Sequence, residues 1–188
     1  MNKTQFAIAA IIGSGVLAGA GMIYLQNYAG WAELSSLEVG EVQLQTLEGG
    51  ELEAIIAENV KGLDTVQDGV RLSGDLSFRA CFTTPQSLAM LTETYVIADN
   101  AEPLTTVGWF DCYDAREVGQ AIETGEAVAF RGMENISYGV DRMAAVFPDG
   151  RGFVWHQLNA CGEALFAGDT PPETCPDIAE FEQTGAED

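Results

Sequence analysis

Between Phe6 and Leu25 the chain runs FAIAAIIGSGVLAGAGMIYL, twenty residues without a charged side chain. At about 1.5 Å of rise per residue, a helix of this length just spans a hydrocarbon core of about 30 Å. The rest of the chain must then stand beside a membrane or beyond one. Lys3 and the amino terminus are the only positive charges ahead of the stretch, and no Lys or Arg comes after it before Lys61. That asymmetry predicts a cytoplasmic amino terminus and an exported remainder.

A cleaved signal peptide is the competing reading, with Phe6 to Leu17 as its apolar region and Ala18-Gly19-Ala20 as the small-residue cleavage pattern. Against cleavage, the apolar run continues through Met22, Ile23, Tyr24 and Leu25, and Tyr24, Tyr28 and Trp31 are placed as an interfacial aromatic belt would be. An uncleaved anchor is favoured. Gly15 and Gly19 within it form a G-x-x-x-G pair, with Ser14 and Ala18 at the same spacing, a helix-packing face where a second helix can approach closely.

About 160 residues remain, the ordinary size of one domain. The chain carries 29 acidic and 8 basic residues, a formal charge of −21, which argues against nucleic acid and anionic head groups as partners because both require a cationic surface. From Pro172 to Asp188 the acids Glu173, Asp177, Glu180, Glu182, Glu187 and Asp188 occur without a Lys or Arg. The organisation expected is an anchor over 1–25, an exported domain over 26–175 and an acidic tail with little order over 176–188.

Cys81, Cys112, Cys161 and Cys175 all fall in the exported part, and an even count in an oxidising compartment points to two disulfides. Three pairings are open. The most economical joins Cys161 to Cys175 and Cys81 to Cys112, each contributing about 3 to 4 kcal/mol by loop closure. No C-x-x-C, no C-x-x-C-H and no cysteine at the end of the apolar run is present, so thiol exchange, covalent haem and lipid attachment lack their motifs.

Val42, Leu44 and Thr46 alternate with Gln43 and Gln45 as a short strand ahead of Gly49-Gly50. Leu52 to Val60 is ambiguous and helical by residue type. Arg71 to Thr83 reads as a strand stopped by Pro85, and Ser87 to Ile97 as a helix with Leu88, Leu91 and Tyr95 on one side. Asp114 to Thr124 is the best helix: Asp114 and Glu117 form a capping-box start, Val118, Ala121 and Ile122 its inner stripe, and Gly125 its end. Ala127 to Gly132 returns as a strand. The clearest local element is the hairpin YGVDRMAAVFPDGRGFVWHQLN around Asp149-Gly150. A two-residue turn there places Phe147 opposite Gly152, Val140 opposite Asn159 and His156 opposite Met143. His156 then shares a face with Asp141, Ala145, Val154 and Leu158. The mixture predicts an α+β domain with a mainly antiparallel sheet behind an N-terminal transmembrane helix.

The segments RACF, LTETYVIADNAEPL, GWFDCYDA and YGVDRMAAVFPDGRGFVWHQLNACGE, behind a short anchor, resemble a small uncharacterised family of membrane-anchored alphaproteobacterial proteins. The resemblance extends from the anchor to about Cys175. It implies a bacterial inner-membrane protein with its C-terminal domain in the periplasm, and no established activity. Members sometimes carry a histidine-kinase label. That label would require a dimerising phosphoacceptor helix and a separate ATP-binding domain, whereas the single histidine here lies in a strand-like segment.

His156 is the side chain suited to general-base work near neutrality, and the expected register sets Asp141 diagonally across from it. Ser73, Ser77, Thr83 and Ser137 sit in no nucleophile motif. His156 and Met143, with Met133, offer half of a copper site, though a structural histidine and a core methionine are the simpler assignments. No D-x-[DN]-x-[DN]-G calcium loop occurs, and Gly162 to Gly168 lacks the lysine of a phosphate loop. No cofactor is expected.

The sequence therefore reads as an anchored periplasmic accessory protein: a small subunit, assembly factor or scaffold of a larger membrane complex. The enzyme alternative is a hydrolase-like or metal-binding domain using His156 and Asp141. A ligand-binding sensor module is the third, for which an apolar cavity lined by Trp109, Phe130 or Trp155 would be the sign.

Overall fold

A computed structural model describes residues 2–67, 70–71 and 76–184. The chain divides into residues 1–31 and the remainder. The first unit is dominated by α1 (Lys3–Asn27), of which Ala7–Asn27 has a mean hydropathy of 2.0 and is long and apolar enough to cross a membrane.

The second unit has the expected α+β architecture. Chain order gives β1 (Trp31–Leu34), α2 (Ser36–Val39), β2 (Gln43–Gln45), β3 (Leu52–Ala54), β4 (Glu58–Gln67), β5 (Val70–Arg71), β6 (Arg79–Thr83) and α3 (Leu88–Thr94). Next come α4 (Ala115–Thr124), β7 (Val128–Arg131), β8 (Val140–Val146), β9 (Arg151–Leu158), α5 (Ala160–Ala167) and α6 (Ile178–Thr184). The main sheet runs β1-β4-β6-β9-β8-β7 with β5 on β4, and β2 pairs with β3 in a small second sheet. The β4/β6, β6/β9, β8/β9 and β7/β8 pairings are all antiparallel.

The main sheet is buried on both faces. One face presents Phe78, Ala80, Phe82, Phe130, Ala144, Val146 and Val154 to a core completed by Leu34, Val39, Val42, Leu44, Ile55, Leu91 and Tyr95. The small sheet, α2 and α3 thus supply its cover. The opposite face carries Met143, Ala145, Phe153 and Trp155, and α4 with the segment before it contributes buried Val118, Ala121, Phe110 and Tyr113. Tyr113 and Phe147 each meet the Phe153 ring edge-on, at 6.0 and 5.5 Å.

Local signals placed several elements correctly. Ser87 caps α3 by accepting from the Met90 amide, and Asp114 caps α4 by accepting from the Arg116 and Glu117 amides. The capping box at α4 is only half formed, because the Glu117 carboxylate is taken by Arg151 at 2.7 Å. Leu52 to Val60 is not helical; it forms β3 and the start of β4, where pairing with β2 and β6 outweighs helix propensity. The expected strand over 71–83 is shorter, with β6 beginning at Arg79 and residues 72–75, including Ser73, outside the described residues. The expected tail contains α6: Asp177 accepts from the Ala179 and Glu180 amides, and the Phe181 ring meets Tyr138 edge-on at 5.7 Å. Glu187 and Asp188 lie outside the described residues.

The hairpin forms with a different register. Val146 faces Gly152, Val140 faces Leu158, Arg142 faces His156 and Met143 faces Trp155. Its loop is Pro148-Asp149-Gly150: the Gly150 amide bonds the Phe147 carbonyl at 3.0 Å, the Phe147 amide bonds the Arg151 carbonyl at 2.9 Å, and Gly150 has φ +86°. This is a type I turn closed by a left-handed glycine, a three-residue loop in place of the expected two-residue one. The third strand holds the extra residue in place, since the Thr84 amide bonds the Gly150 carbonyl at 2.8 Å and a Cβ on Gly150 would lie 2.6 Å from the Thr84 carbonyl oxygen.

Candidate functional site

A one-residue register change moves cross-strand neighbours to opposite faces. His156 consequently lies on the face of Arg142, Ala144 and Val154, while Asp141 and Met143 project from the other. The structure does not bring together His156 and Asp141, or His156 and Met143. The His156 ring is buried and stacks on Phe78 at 4.6 Å with 23° between the planes. Its Nε2 accepts from Arg142 Nε at 3.0 Å, and the Arg142 guanidinium lies over the same Phe78 ring at 4.8 Å. An arginine Nε–H can only donate, so this geometry requires a lone pair on Nε2 and a neutral imidazole protonated on Nδ1.

Asp141 is occupied in a different task. It accepts from the Asn135 amide at 2.8 Å and from Asn159 Nδ2 at 2.7 Å, and Asn159 Oδ1 in turn accepts from the Cys161 and Gly162 amides that open α5. The carboxylate therefore ties the turn before β8 to the start of α5. Met143 packs in the core, and Met133 contributes its carbonyl to the Arg142 amide at 2.8 Å. Among the described residues, no group of three or more His, Cys, Asp or Glu side chains is arranged to hold a metal. Ser77 bonds Asp64 and Thr65, and the Thr83 hydroxyl bonds the Glu58 carbonyl.

The disulfides join Cys81 to Cys112 and Cys161 to Cys175, the economical pairing. Phe130 and Trp155 are buried on opposite faces of the main sheet. On α1, a Cβ added at Gly15 or Gly19 would meet nothing within 4 Å.

A cleft that sequence reasoning missed lies between residues 105 and 116, with a volume of about 350 Å³ and with Thr106, Phe110, Asp111, Tyr113, Asp114 and Arg116 in its walls. Arg79, buried at 3% exposure, lies behind the lining residues Thr105 and Tyr113. Its guanidinium donates to the carbonyls of Leu76, Phe78, Leu104 and Thr105 at 2.6 to 3.1 Å and lies 5.9 Å from the Tyr113 ring centre. The Cys81–Cys112 bond fixes the residue before Tyr113 to β6. Burial pushes the Tyr113 hydroxyl well above the ordinary tyrosine value, with the Arg79 charge opposing in part. The hydroxyl stays protonated and available to donate. TTVGWFDCY, ahead of the capping residue Asp114, has no hydrophobic period and no motif, and its cysteine is the one signal that it is held rigidly.

A second surface is apolar. α5, capped at its start by Asn159 and closed by left-handed Gly168, exposes Leu165 at 47% and Phe166 at 75%.

A model for a family of unknown function, DUF6446, matches residues 42–176. The chain belongs to this family. The match covers β2 through the second disulfide, and so includes the main sheet apart from β1, the 105–116 cleft and α5. No curated protein and no solved structure matches the chain.

Proposed function

We propose that this DUF6446 member is a membrane-anchored, exported interaction domain: a small subunit, assembly factor or scaffold of a membrane complex. It stands on the periplasmic face of a bacterial inner membrane with its amino terminus in the cytoplasm. The observation that carries this reading is the coupling of a membrane-length apolar helix to a domain whose four cysteines are all paired. Paired cysteines belong to oxidising compartments, and the charge asymmetry around α1 favours export of the domain on its C-terminal side. Leu165 and Phe166, adjacent and exposed on a doubly capped, stapled helix, support interaction as an apolar contact point on a rigid element. Gly15 and Gly19 offer a second contact face within the membrane.

The hydrolase-like and metal-binding alternatives rested on His156 with Asp141 or Met143, and the hairpin register separates these side chains. The test has two parts. Intact mass of membrane-extracted protein is expected to begin at Met1, and protease added to spheroplasts is expected to digest the folded domain while sparing α1. A soluble form starting at Gly21 would overturn the anchor. Mild extraction followed by cross-linking mass spectrometry is expected to place α5 against one reproducible membrane partner.

A further inference from the structure

We propose that the cleft between residues 105 and 116 binds a neutral polyhydroxylated ligand, the size of about one or two sugar rings, through the Tyr113 and Thr106 hydroxyls and the Asp111 and Asp114 carboxylates. Among the described residues, Thr106 Oγ1 and Tyr113 OH are the two buried side-chain polar atoms without a hydrogen-bond partner, and both are covered atoms of residues that line this one cleft. An orphaned buried hydroxyl costs about 1 to 3 kcal/mol. Packing does not require the Tyr113 oxygen: a phenylalanine ring would meet Phe153 edge-on and carry the Arg79 cation equally well.

The charges around the cleft select the ligand class. Asp111 and Asp114 disfavour an anion, while Arg79 behind the Tyr113 ring and Arg116 in the wall disfavour a cation. A neutral molecule rich in hydroxyls satisfies both sides, donating to the carboxylates and accepting from Tyr113, Thr106 and Arg116. The volume of about 350 Å³ falls at the lower end of small-molecule sites. The Asp111–Asp114 side of the site is held by the Cys81–Cys112 bond and by the Asp114 cap of α4. Residues 105–107 lie outside helix and strand, and a Cβ on neighbouring Gly108 would meet nothing within 4 Å. This short segment is the part that must yield for a ligand to reach the two covered oxygens.

The experiment uses the full chain in lauryldimethylamine oxide micelles, which carry no sugar head group, with D-glucose and maltose as probes. Saturation-transfer NMR is expected to show magnetisation passing from the protein to at least one sugar in the millimolar range, and Tyr113→Phe and Thr106→Val are each expected to weaken that binding about tenfold. Without sugar, Tyr113→Phe is expected to raise Tm, because it removes the orphaned hydroxyl. The proposal is overturned by no transfer to either sugar, by equal transfer in wild type and both variants, or by a Tm that falls in Tyr113→Phe. Tyr113-dependent binding of acetate or tetramethylammonium in place of the sugars would overturn the ligand class.

Discussion

Arg142 Nε donates to His156 Nε2 at 3.0 Å across the β8/β9 hairpin, and the Phe78 ring packs against both side chains. This contact makes the histidine a core acceptor. In His156→Gln an amide oxygen can replace Nε2 but the stacking on Phe78 is lost, so the expected cost is about 1 to 2 kcal/mol. His156→Leu removes the acceptor altogether and is expected to cost about 1 kcal/mol more. Urea unfolding monitored by tryptophan fluorescence checks the order. Nitrogen-15 shifts of the histidine ring at neutral pH should show a protonated Nδ1 and an unprotonated Nε2. The reverse tautomer would contradict the Arg142 bond.

Gly162 and Gly139 meet backbone to backbone at the start of α5. A Cβ on Gly162 would clash with the Gly139 carbonyl oxygen, and Gly139 itself has φ +75°. Gly162→Ala is therefore expected to cost more than about 2 kcal/mol and to loosen the Asp141–Asn159 network beside it. Thermal unfolding measures the first effect and amide hydrogen exchange at Cys161 the second. A neutral substitution would mean that α5 can shift without penalty.

The two disulfides close intervals of 31 and 14 residues. Loop-closure entropy alone assigns about 4 kcal/mol to Cys81–Cys112 and about 3 kcal/mol to Cys161–Cys175. Replacing the first pair by alanine is expected to be the more damaging change, because it also releases the wall of the Tyr113 cleft. Peptide mapping under non-reducing conditions should recover both pairs, and labelling of native protein with a thiol reagent should find none free.

At the hairpin tip, Arg151 bridges Asp149 at 2.8 Å and Glu117 at 2.7 Å, joining β9 to α4. Hydrogen bonds from the Arg151 side chain and backbone hold the Asp149 carboxyl below its usual value. A carboxyl whose folded value is lowered contributes stability above its unfolded value and loses it as pH falls through the folded one. All three side chains are substantially exposed, so the contribution is only about a few tenths of a kcal/mol. The Tm difference between wild type and Asp149→Asn should be small at neutral pH and vanish in acid. A difference that grows in acid would show the sign to be wrong.

Much of the fold was legible because its signals are local. The apolar run that became α1, the stripe of Leu88 and Leu91, the cap at Asp114, the alternation at Val42 and Leu44, and the spacing of the cysteines each act within a few residues or through a simple loop count. What tertiary structure decided is the pairing. Pro148-Asp149-Gly150 is compatible with a two- or a three-residue loop, and the choice was made by Thr84 of the neighbouring chain segment gripping Gly150. That single residue of loop length turned Asp141 and Met143 away from His156 and set Arg142 in their place. The Tyr113 cleft was equally invisible, because it is assembled by a buried arginine from a distant strand and a disulfide acting on a segment with no period of its own. Side-chain chemistry is written along the chain, but which groups face each other depends on strand register, which long-range packing sets.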